Sequence, residues 1–247
     1  MLILGADTSG KYGSIALLRG DAGGLRTVEL VPLQGGTFSA QMIPQIAELL
    51  SKHGLHKTDV DGFAVASGPG SFTGLRVGLA AIKALAEILQ KPIAAVSLLE
   101  VMVAELRSDE NNFDFSRKQR DAGNSASTEH ALVVVTLDAG RNETYAGEYQ
   151  IDEKLPVCVS ESLLTLDELA VRASRSQWPI YTPDESVIAA LSGRDGRVLR
   201  VPRPNAVSVA RLGYRKILAG LTASPLELDA NYIRRADAEI KTVRKPA

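Results

Sequence analysis

The chain has 247 residues, of which 45% are hydrophobic and 23% are charged, and its formal net charge is −1. That length is enough for one large domain or for two small ones with real cores. The near-neutral charge excludes a nucleic-acid surface that dominates the whole chain, so any RNA contact is expected to be local or made by a partner. A single cysteine, Cys158, excludes an intramolecular disulfide and fits a reducing compartment.

The chain opens with the short apolar run Met1-Leu-Ile-Leu, and Asp7 comes soon after it. This run is too short for a signal peptide. No stretch of the sequence approaches the ~18 consecutive apolar residues of a membrane span. We therefore expect a cytoplasmic protein that does not contact membranes.

Three strands and a helix are predicted first. Apolar runs predict strands at Leu2–Ala6, Ser14–Leu18 and Arg26–Leu33. Helical spacing of apolar residues comes next, and it predicts a helix with Ser39 as its N-cap that continues to about residue 52. Gly54 lies just past the end of this helix, where a left-handed C′ residue belongs.

A fourth strand, Gly62–Ser67, leads into a glycine-rich loop and then into a helix of about residues 74–90. Pro92 ends this helix. A short strand at Ile93–Val96 and a helical stretch through Leu106 complete this part of the chain.

Residues 107–130 interrupt the pattern, because they are polar and contain no aliphatic residue larger than alanine. We interpret them as a mobile loop or linker between two domains. The first domain is then residues 1–106 and the second is residues 131–247, with the last helix able to pack back on the first domain.

The second part of the chain begins like the first. Strands are predicted at Ala131–Leu137 and Thr144–Tyr149, so that Asp138 comes after a strand and before a polar turn, as Asp7 does. This likeness predicts two halves built on one plan, with a chance similarity between hairpins as the alternative. The remainder completes an α/β pattern, with helices at Thr165–Ala173 and Ala206–Leu218 and short apolar runs at Pro179–Tyr181 and Val198–Val201.

The glycine loop, Ser67-Gly-Pro-Gly-Ser-Phe-Thr-Gly, has two interpretations. A strand that feeds such a loop at a helix N-terminus can hold an anion on its backbone amides. The alternative is a tight turn whose glycines allow close packing and whose hydroxyls cap the helix. The loop is not a Walker A motif, because no Gly-Lys-Ser/Thr occurs at the required spacing. The candidate anion or nucleotide contacts are Asp7, Thr8, Ser9, Gly68, Gly70, Ser71 and Thr73.

The helix after the loop is apolar on two faces. One face carries Leu75, Leu79, Ile82, Ala86 and Leu89, and the other carries Val77, Ala81, Leu85 and Ile88. A helix that lies on one sheet needs a single apolar face. The second face is therefore buried either in the core of the same chain or against a second protein chain.

The motifs of the chain resemble the TsaB (YeaZ) family. The resemblance lies in Leu2-Ile-Leu-Gly-Ala-Asp-Thr-Ser and, most specifically, in Gly68-Pro-Gly-Ser-Phe-Thr-Gly-Leu-Arg-Val-Gly. It continues through Thr136-Leu-Asp-Ala, Pro204-Asn-Ala and Asn231-Tyr-Ile-Arg, and so covers most of the chain. It implies an α/β fold of the actin/Hsp70-like ATPase (ASKHA) type, with two ribonuclease-H-like subdomains of mixed sheets flanked by helices.

The resemblance also implies a function. Members are the non-catalytic dimerisation subunit of the bacterial complex that makes threonylcarbamoyladenosine (t6A) at position 37 of tRNA. They bind the catalytic subunit TsaD through helices, join TsaE in the same complex, and pair with themselves when alone. tRNA would be reached through the complex, ATP or ADP could bind there, and no cofactor is required by the subunit alone. The residues that this implies for the partner interface are Met42, Ile46, Leu75, Val77, Leu79, Ala81, Ile82, Leu85 and Ile88.

Two other functions compete. A stand-alone phosphotransferase or ATPase would use Asp7 and Asp138 at strand ends, although each can simply accept amide hydrogen bonds in its own turn. A metalloprotease would need convergent ligands, but the three histidines, His53, His56 and His130, lack ligand spacing. We predict no catalytic residue and no metal site.

A basic tail, Arg234 to Lys245, could touch tRNA, although a solvated chain end is the alternative.

Overall fold

The computed structural model describes residues 1–106, 132–151, 155–175, 178–192 and 197–233. The predictions made for residues 107–130, for His130 and for the basic tail lie outside these ranges. The chain divides into two compact units, one formed by Met1–Leu98 with Pro204–Ala247 and the other by Leu99–Arg203.

Strands and helices alternate along both units. The strands are β1 (Leu2–Asp7), β2 (Tyr12–Asp21), β3 (Gly24–Gln34), β4 (Gly62–Gly68), β5 (Ile93–Ser97), β6 (Leu132–Gly140), β7 (Glu143–Gln150), β8 (Val157–Thr165), β9 (Ile180–Thr182) and β10 (Val198–Arg200). The helices are α1 (Phe38–Lys52), α2 (Phe72–Leu89), α3 (Leu98–Glu105), α4 (Leu166–Arg175), α5 (Glu185–Leu191) and α6 (Ala206–Leu218).

The first unit has a mixed sheet of strand order β3-β2-β1-β4-β5. β1, β2 and β3 form an antiparallel meander, whereas β4 lies parallel to β1 and β5 lies parallel to β4. Every residue of β1 and β4 is buried, which is the pattern of central strands covered on both faces. The carboxyl ends of β1 and β4 therefore meet at one edge of the sheet, and the loops after these two strands lie together.

Helix α6 covers one face of this first sheet at close range. A Cβ atom on Gly213 would collide with the Cβ of Ala64 in β4, and one on Gly5 would collide with the backbone of Ala206. Asn205 caps the helix by accepting a hydrogen bond of 2.8 Å from the amide of Val207. Small residues thus let this helix approach the sheet.

Helix α6 packs on the sheet of the first unit, as the predicted division allowed for the last helix. Residues from Pro204 onward belong to the first unit, not to a second domain of residues 131–247. The physical reason is that α6 buries its apolar face on β1, β2, β4 and β5. Although α6 follows the second unit in the sequence, its apolar face is buried by the sheet of the first unit.

The other face of the first sheet is covered by α1 and α2. Their buried side chains join those of the sheet in one apolar core; from the two helices these are Phe38, Met42, Ile46, Leu49, Leu50, Leu75, Leu79, Ile82 and Ala86. Helix α1 begins at Phe38, and its N-cap is Thr37, so the prediction of Ser39 as the N-cap is wrong. Gly54 has a φ of 64°, which confirms the predicted left-handed residue.

The second unit repeats the plan of the first sheet. Its strand order is β10-β9-β6-β7-β8, with β6, β7 and β8 antiparallel, β9 parallel to β6, and β10 parallel to β9. In reverse, from β8 to β10, this order and these directions are those of the first sheet, which confirms two halves of ribonuclease-H-like topology. Helices α4 and α5 bury Leu169, Val187 and Leu191 against Val134 of its sheet.

Two elements of the second unit are not predicted from the sequence. β8 pairs with β7 although its residues are only half-buried or exposed, and α5 has only 7 residues. Neither has a long apolar period, so the usual sequence signals are weak. No helix within the described ranges is long and apolar enough to span a membrane.

Candidate functional site

The glycine loop is the turn that joins β4 to α2. The side chain of Ser71 caps α2 by accepting a hydrogen bond of 3.3 Å from the amide of Gly74. The amide of Ser71 in turn donates a hydrogen bond of 2.7 Å to the carbonyl oxygen of Ser9, in the turn after β1. The loop is therefore hydrogen-bonded to the β1–β2 turn. This contact is expected, because the carboxyl ends of β1 and β4 are adjacent in the sheet.

Thr8 explains why glycines recur in the first turns of α2. Its hydroxyl donates a hydrogen bond of 2.8 Å to the carbonyl oxygen of Gly74. A Cβ atom on Gly74 would collide with the backbone of Thr8, and one on Gly78 would collide with the Thr8 hydroxyl. Gly70 lies equally close to Ser9. The structure thus supports the alternative in which the loop is a close-packed turn with hydroxyl caps.

The candidate anion contacts fall into two groups. Ser9, Ser71 and Thr73 line an open groove of about 710 Å³, together with Lys11 and the start of α1. Among the described residues, none that lines the groove is acidic. Asp7, Thr8, Gly68 and Gly70 do not line it. Asp7 is buried, and its carboxylate accepts a hydrogen bond of 2.9 Å from the amide of Ser9. Binding of an anion or nucleotide at this groove stays a prediction.

Five of the nine residues predicted for the partner interface lie in the core of the first unit. They are Met42, Ile46, Leu75, Leu79 and Ile82, and none is more than 6% exposed. The prediction is wrong for these five as surface contacts, because the chain itself covers them. Val77, Ala81 and Leu85 are half-buried, and Ile88 is 72% exposed.

An apolar strip nevertheless remains exposed on α2. Ala80 and Ala84 are exposed, and they lie between Val77 and Ile88 at helical spacing. The strip therefore runs along one side of the helix, and small residues occupy its middle. An exposed isoleucine beside exposed alanines is the arrangement that permits close approach of another helix.

Helix α1 extends this strip. Gln41 and Lys52 of α1 bind Gln34 and Glu29 of β3, so the opposite flank of α1 is directed towards α2. That flank carries Ile43, which is 46% exposed. We call the exposed and half-buried apolar residues along this side of the two helices the docking face; they are Ala40, Ile43, Ala47, Val77, Ala80, Ala84 and Ile88.

In the second unit, the carboxylates at the strand ends already have hydrogen-bond partners within the same unit. The carboxylate of Asp138 accepts hydrogen bonds of 2.7 Å from the amide of Gly140 and 2.7 Å from the hydroxyl of Ser186. Asp184 accepts one of 2.8 Å from the amide of Asp138 and also pairs with Arg203. Asp7 and Asp138 thus each accept an amide hydrogen bond within their own turn, as the turn alternative predicts.

Potential metal ligands do not converge in the described ranges. Within them, no three side chains of His, Cys, Asp or Glu come together. His53 lies 2.7 Å from the carboxylate of Glu29, and His56 lies exposed after the end of α1. Sequence reasoning missed Thr8 as the packing partner of α2, and the spacing of Gly74 and Gly78 was the available signal.

Comparisons with known proteins found similar proteins that match nearly the whole chain. A family model described as "TsaD: tRNA N6-adenosine threonylcarbamoyltransferase" matches residues 34–116. The chain is 29% identical to the tRNA threonylcarbamoyladenosine biosynthesis protein TsaB of Bacillus subtilis over 98% of both chains. It is 28% identical to TsaB of Haemophilus influenzae, over 95% of this chain and 94% of that one.

Among solved structures, YeaZ from Pseudomonas aeruginosa has the same fold with a TM-score of 0.69. It is 23% identical, and the match covers 94% of this chain and 100% of that one. The full-length relatives, the shared fold and the motifs around the glycine loop lead to one conclusion. Over nearly its whole length, the chain is similar to proteins of the TsaB (YeaZ) family.

Proposed function

We propose that this protein is a non-catalytic subunit of tRNA threonylcarbamoyladenosine biosynthesis, which binds a TsaD-family threonylcarbamoyltransferase through the docking face. The observation that carries the proposal is the exposed apolar strip of α1 and α2. Its role would be to hold the partner in an active arrangement, so that binding free energy at the interface is coupled to the activity of the partner.

The chemistry of the docking face favours helix packing. Contiguous apolar surface on a helix pair marks a site of protein association. Alanines in the middle of the strip leave room for the ridges of a second helix pair, as helices packed ridge into groove require. The strip contains no charged residue that would have to be desolvated.

The segment that resembles TsaD supports the choice of partner. The matched residues, 34–116, include the whole of α1 and α2. A TsaD-family chain therefore has a segment that corresponds to the docking face. Two related helix pairs can pack around an approximate twofold axis, in the manner of an isologous interface.

The finer expectations belong to the same proposal. The same face would form a homodimer when TsaD is absent, because a second copy also covers the apolar strip. TsaE would join the complex, tRNA would be bound through it, and ATP or ADP could bind in the complex. These steps would occur in the cytoplasm.

Reconstitution tests the proposal. The protein is mixed with TsaC, TsaD, TsaE, threonine, bicarbonate, ATP and tRNA, and threonylcarbamoyladenosine is measured by mass spectrometry. Ile88→Asp should weaken binding to TsaD by about thirtyfold or more, because it replaces the most exposed large apolar side chain of the docking face with a charge that the interface would desolvate. Leu221→Asp is the matched control, because Leu221 is 55% exposed and comes just after α6, the helix that covers the other face of the sheet.

Equal binding of TsaD by Ile88→Asp and Leu221→Asp would contradict the proposal. So would ATP hydrolysis by the protein alone that is lost on Asp7→Asn, since that result belongs to a stand-alone phosphotransferase. Variants of the buried face, such as Leu79→Asp, are unsuitable because they would unfold the first unit.

A further inference from the structure

A C-terminal strap, residues 223–233, lies along the flank of α2 that is not beside α1. The amide of Asn231 donates a hydrogen bond of 2.7 Å to the carbonyl oxygen of Ser67 in β4. Lys83 of α2 donates one of 3.3 Å to the carbonyl oxygen of Leu228, whose side chain is buried in the core of the first unit. The strap is therefore anchored to the end of β4 and to the middle of α2.

Arg76 is held between this strap and its own helix. Its guanidinium lies 3.8 Å from the ring centroid of Phe72, one turn earlier in α2. Its Nε donates a hydrogen bond of 2.9 Å to the hydroxyl of Tyr232 in the strap. The rings of Phe72 and Tyr232 are themselves 4.9 Å apart. Two aromatic side chains thus fix the orientation of an exposed guanidinium.

The terminal nitrogens of Arg76 have no carboxylate partner in the part of the chain that the structure describes. No acidic residue occurs between Gly62 and Ala86, and the first turn of α2 contains none. Other exposed arginines do pair with carboxylates; examples are Arg26 with Asp21 and Arg172 with Glu148. Arg76 differs from them in being fixed by aromatic side chains while lacking a carboxylate partner among the described residues.

A guanidinium in this state is prepared to bind an anion. Its two terminal amino groups form a planar fork that matches both oxygens of a carboxylate. Because the side chain is already ordered, binding costs little further conformational entropy. Arg76 lies one turn from Ala80, so the fork is at the edge of the docking face.

We propose that Arg76 is a specificity-determining residue of the docking face and that it binds a carboxylate of the TsaD-family subunit. The inference rests on the proposed function, since it names a group by which the same face would select its partner. The apolar strip provides buried area for binding, and Arg76 fixes the orientation and position of the partner on the docking face. A partner without an acidic side chain at this edge would leave the guanidinium unpaired and would bind less tightly.

Binding of purified TsaD to variants of the full chain tests this inference, by calorimetry at low and at high sodium chloride. Arg76→Gln should raise Kd by about tenfold to a hundredfold at low salt, as expected for loss of a charged hydrogen-bonded pair. It should also flatten the salt dependence of Kd. Arg76→Lys should recover only part of the loss, because an ammonium lacks the planar fork.

Two further variants separate recognition from folding. Tyr232→Phe removes the hydroxyl acceptor but keeps the ring, and should weaken binding only a few-fold. Arg19→Gln is the matched control, because Arg19 is exposed on β2 opposite Leu2, at the far end of the sheet from the start of α2. It should leave Kd unchanged. Thermal unfolding of each variant is measured beside its binding.

Four outcomes would overturn the inference. Arg76→Gln could bind TsaD like the wild type while Ile88→Asp does not, in which case the proposed function stands and this inference fails. Arg76→Gln and Arg76→Lys could weaken binding equally at all salt concentrations, which would indicate packing on Phe72 instead of a carboxylate. The loss could be confined to tRNA binding by the complex, which would identify a phosphate. Absence of any binding between the wild type and TsaD would overturn both proposals.

Discussion

The two units share one strand order but differ in the helix that comes after the fourth strand of each sheet. In the first unit, β4 leads through the glycine loop into α2, which has 18 residues and an exposed apolar strip. In the second unit, β9 leads through Asp184 into α5, which has 7 residues. The same scaffold therefore carries a long docking helix in one half and a short capped helix in the other.

The charges at these positions differ in the same way. In the second unit, Asp184 pairs with Arg203 and accepts a hydrogen bond from the Asp138 amide, and the Asp138 carboxylate accepts one from the Ser186 hydroxyl, so both carboxylates are bound by groups of their own unit. In the first unit, the first turn of α2 contains no acidic residue, and Arg76 has no carboxylate partner among the described residues. The difference teaches that the proposed function lies in the helices and side chains placed on the fold, and that the fold alone does not supply it.

The largest expected effect comes from comparing the two faces of α2. Leu79→Ala should destabilise the protein by about 2–5 kcal/mol, because it opens a cavity in the core of the first unit. Ile88→Ala should change stability by less than about 0.5 kcal/mol, because this side chain is 72% exposed. Urea unfolding followed by circular dichroism measures both. Similar losses for the two variants would show that the exposed strip is part of the core.

The next effect concerns the close approach of α2 to the β1–β2 turn. Gly78→Ala should cost about 1–3 kcal/mol, because the added methyl group collides with the Thr8 hydroxyl and disturbs its hydrogen bond to Gly74. Ala84→Ser on the exposed strip is the matched control and should be nearly neutral. A neutral Gly78→Ala in the same urea experiment would mean that α2 has room to move away from the sheet.

In the second unit, Asp184→Asn should cost about 1–3 kcal/mol, because a buried carboxylate that binds the Asp138 amide and Arg203 loses its charge. Amide hydrogen exchange measured by mass spectrometry should show faster exchange in β6 and β9 and no change in α1 or α2. Faster exchange in α1 and α2 instead would show that the Asp184 contacts stabilise the first unit and not only the second.

Elements whose signals are local can be predicted from the sequence. Helix α6 has the bounds that the sequence predicts, since its Asn205 cap and its apolar period act within the helix. The left-handed Gly54 and the strands with buried apolar runs are predictable for the same reason. Likewise, the repeat of an aspartate at a strand end is visible in the chain, and it indicates the two equivalent sheets.

Features that depend on distant neighbours cannot be predicted in this way. A helical wheel shows that α2 has two apolar faces, but it cannot show that Met42 and Ile46 of α1 are buried together with Leu79. Nor can it show that α6 returns to the first sheet. The neighbour of Arg76 is equally remote, because Tyr232 lies 156 residues further along the chain. These pairings are tertiary, and single-sequence periodicity contains no information on them.

The smallest expected effect is at the far end of α1, where Glu29 of β3 anchors the docking face. Hydrogen bonds from Lys52 and His53 hold the pKa of Glu29 below its ordinary value. A lowered pKa means that the stabilisation is present above the pKa of the unfolded chain and is lost as the pH falls through the folded value. Glu29→Gln should therefore speed amide exchange at the end of α1 near neutral pH. The difference from the wild type should vanish in acid, and a difference that persists there would show that the carboxylate charge is not what fastens α1 to β3.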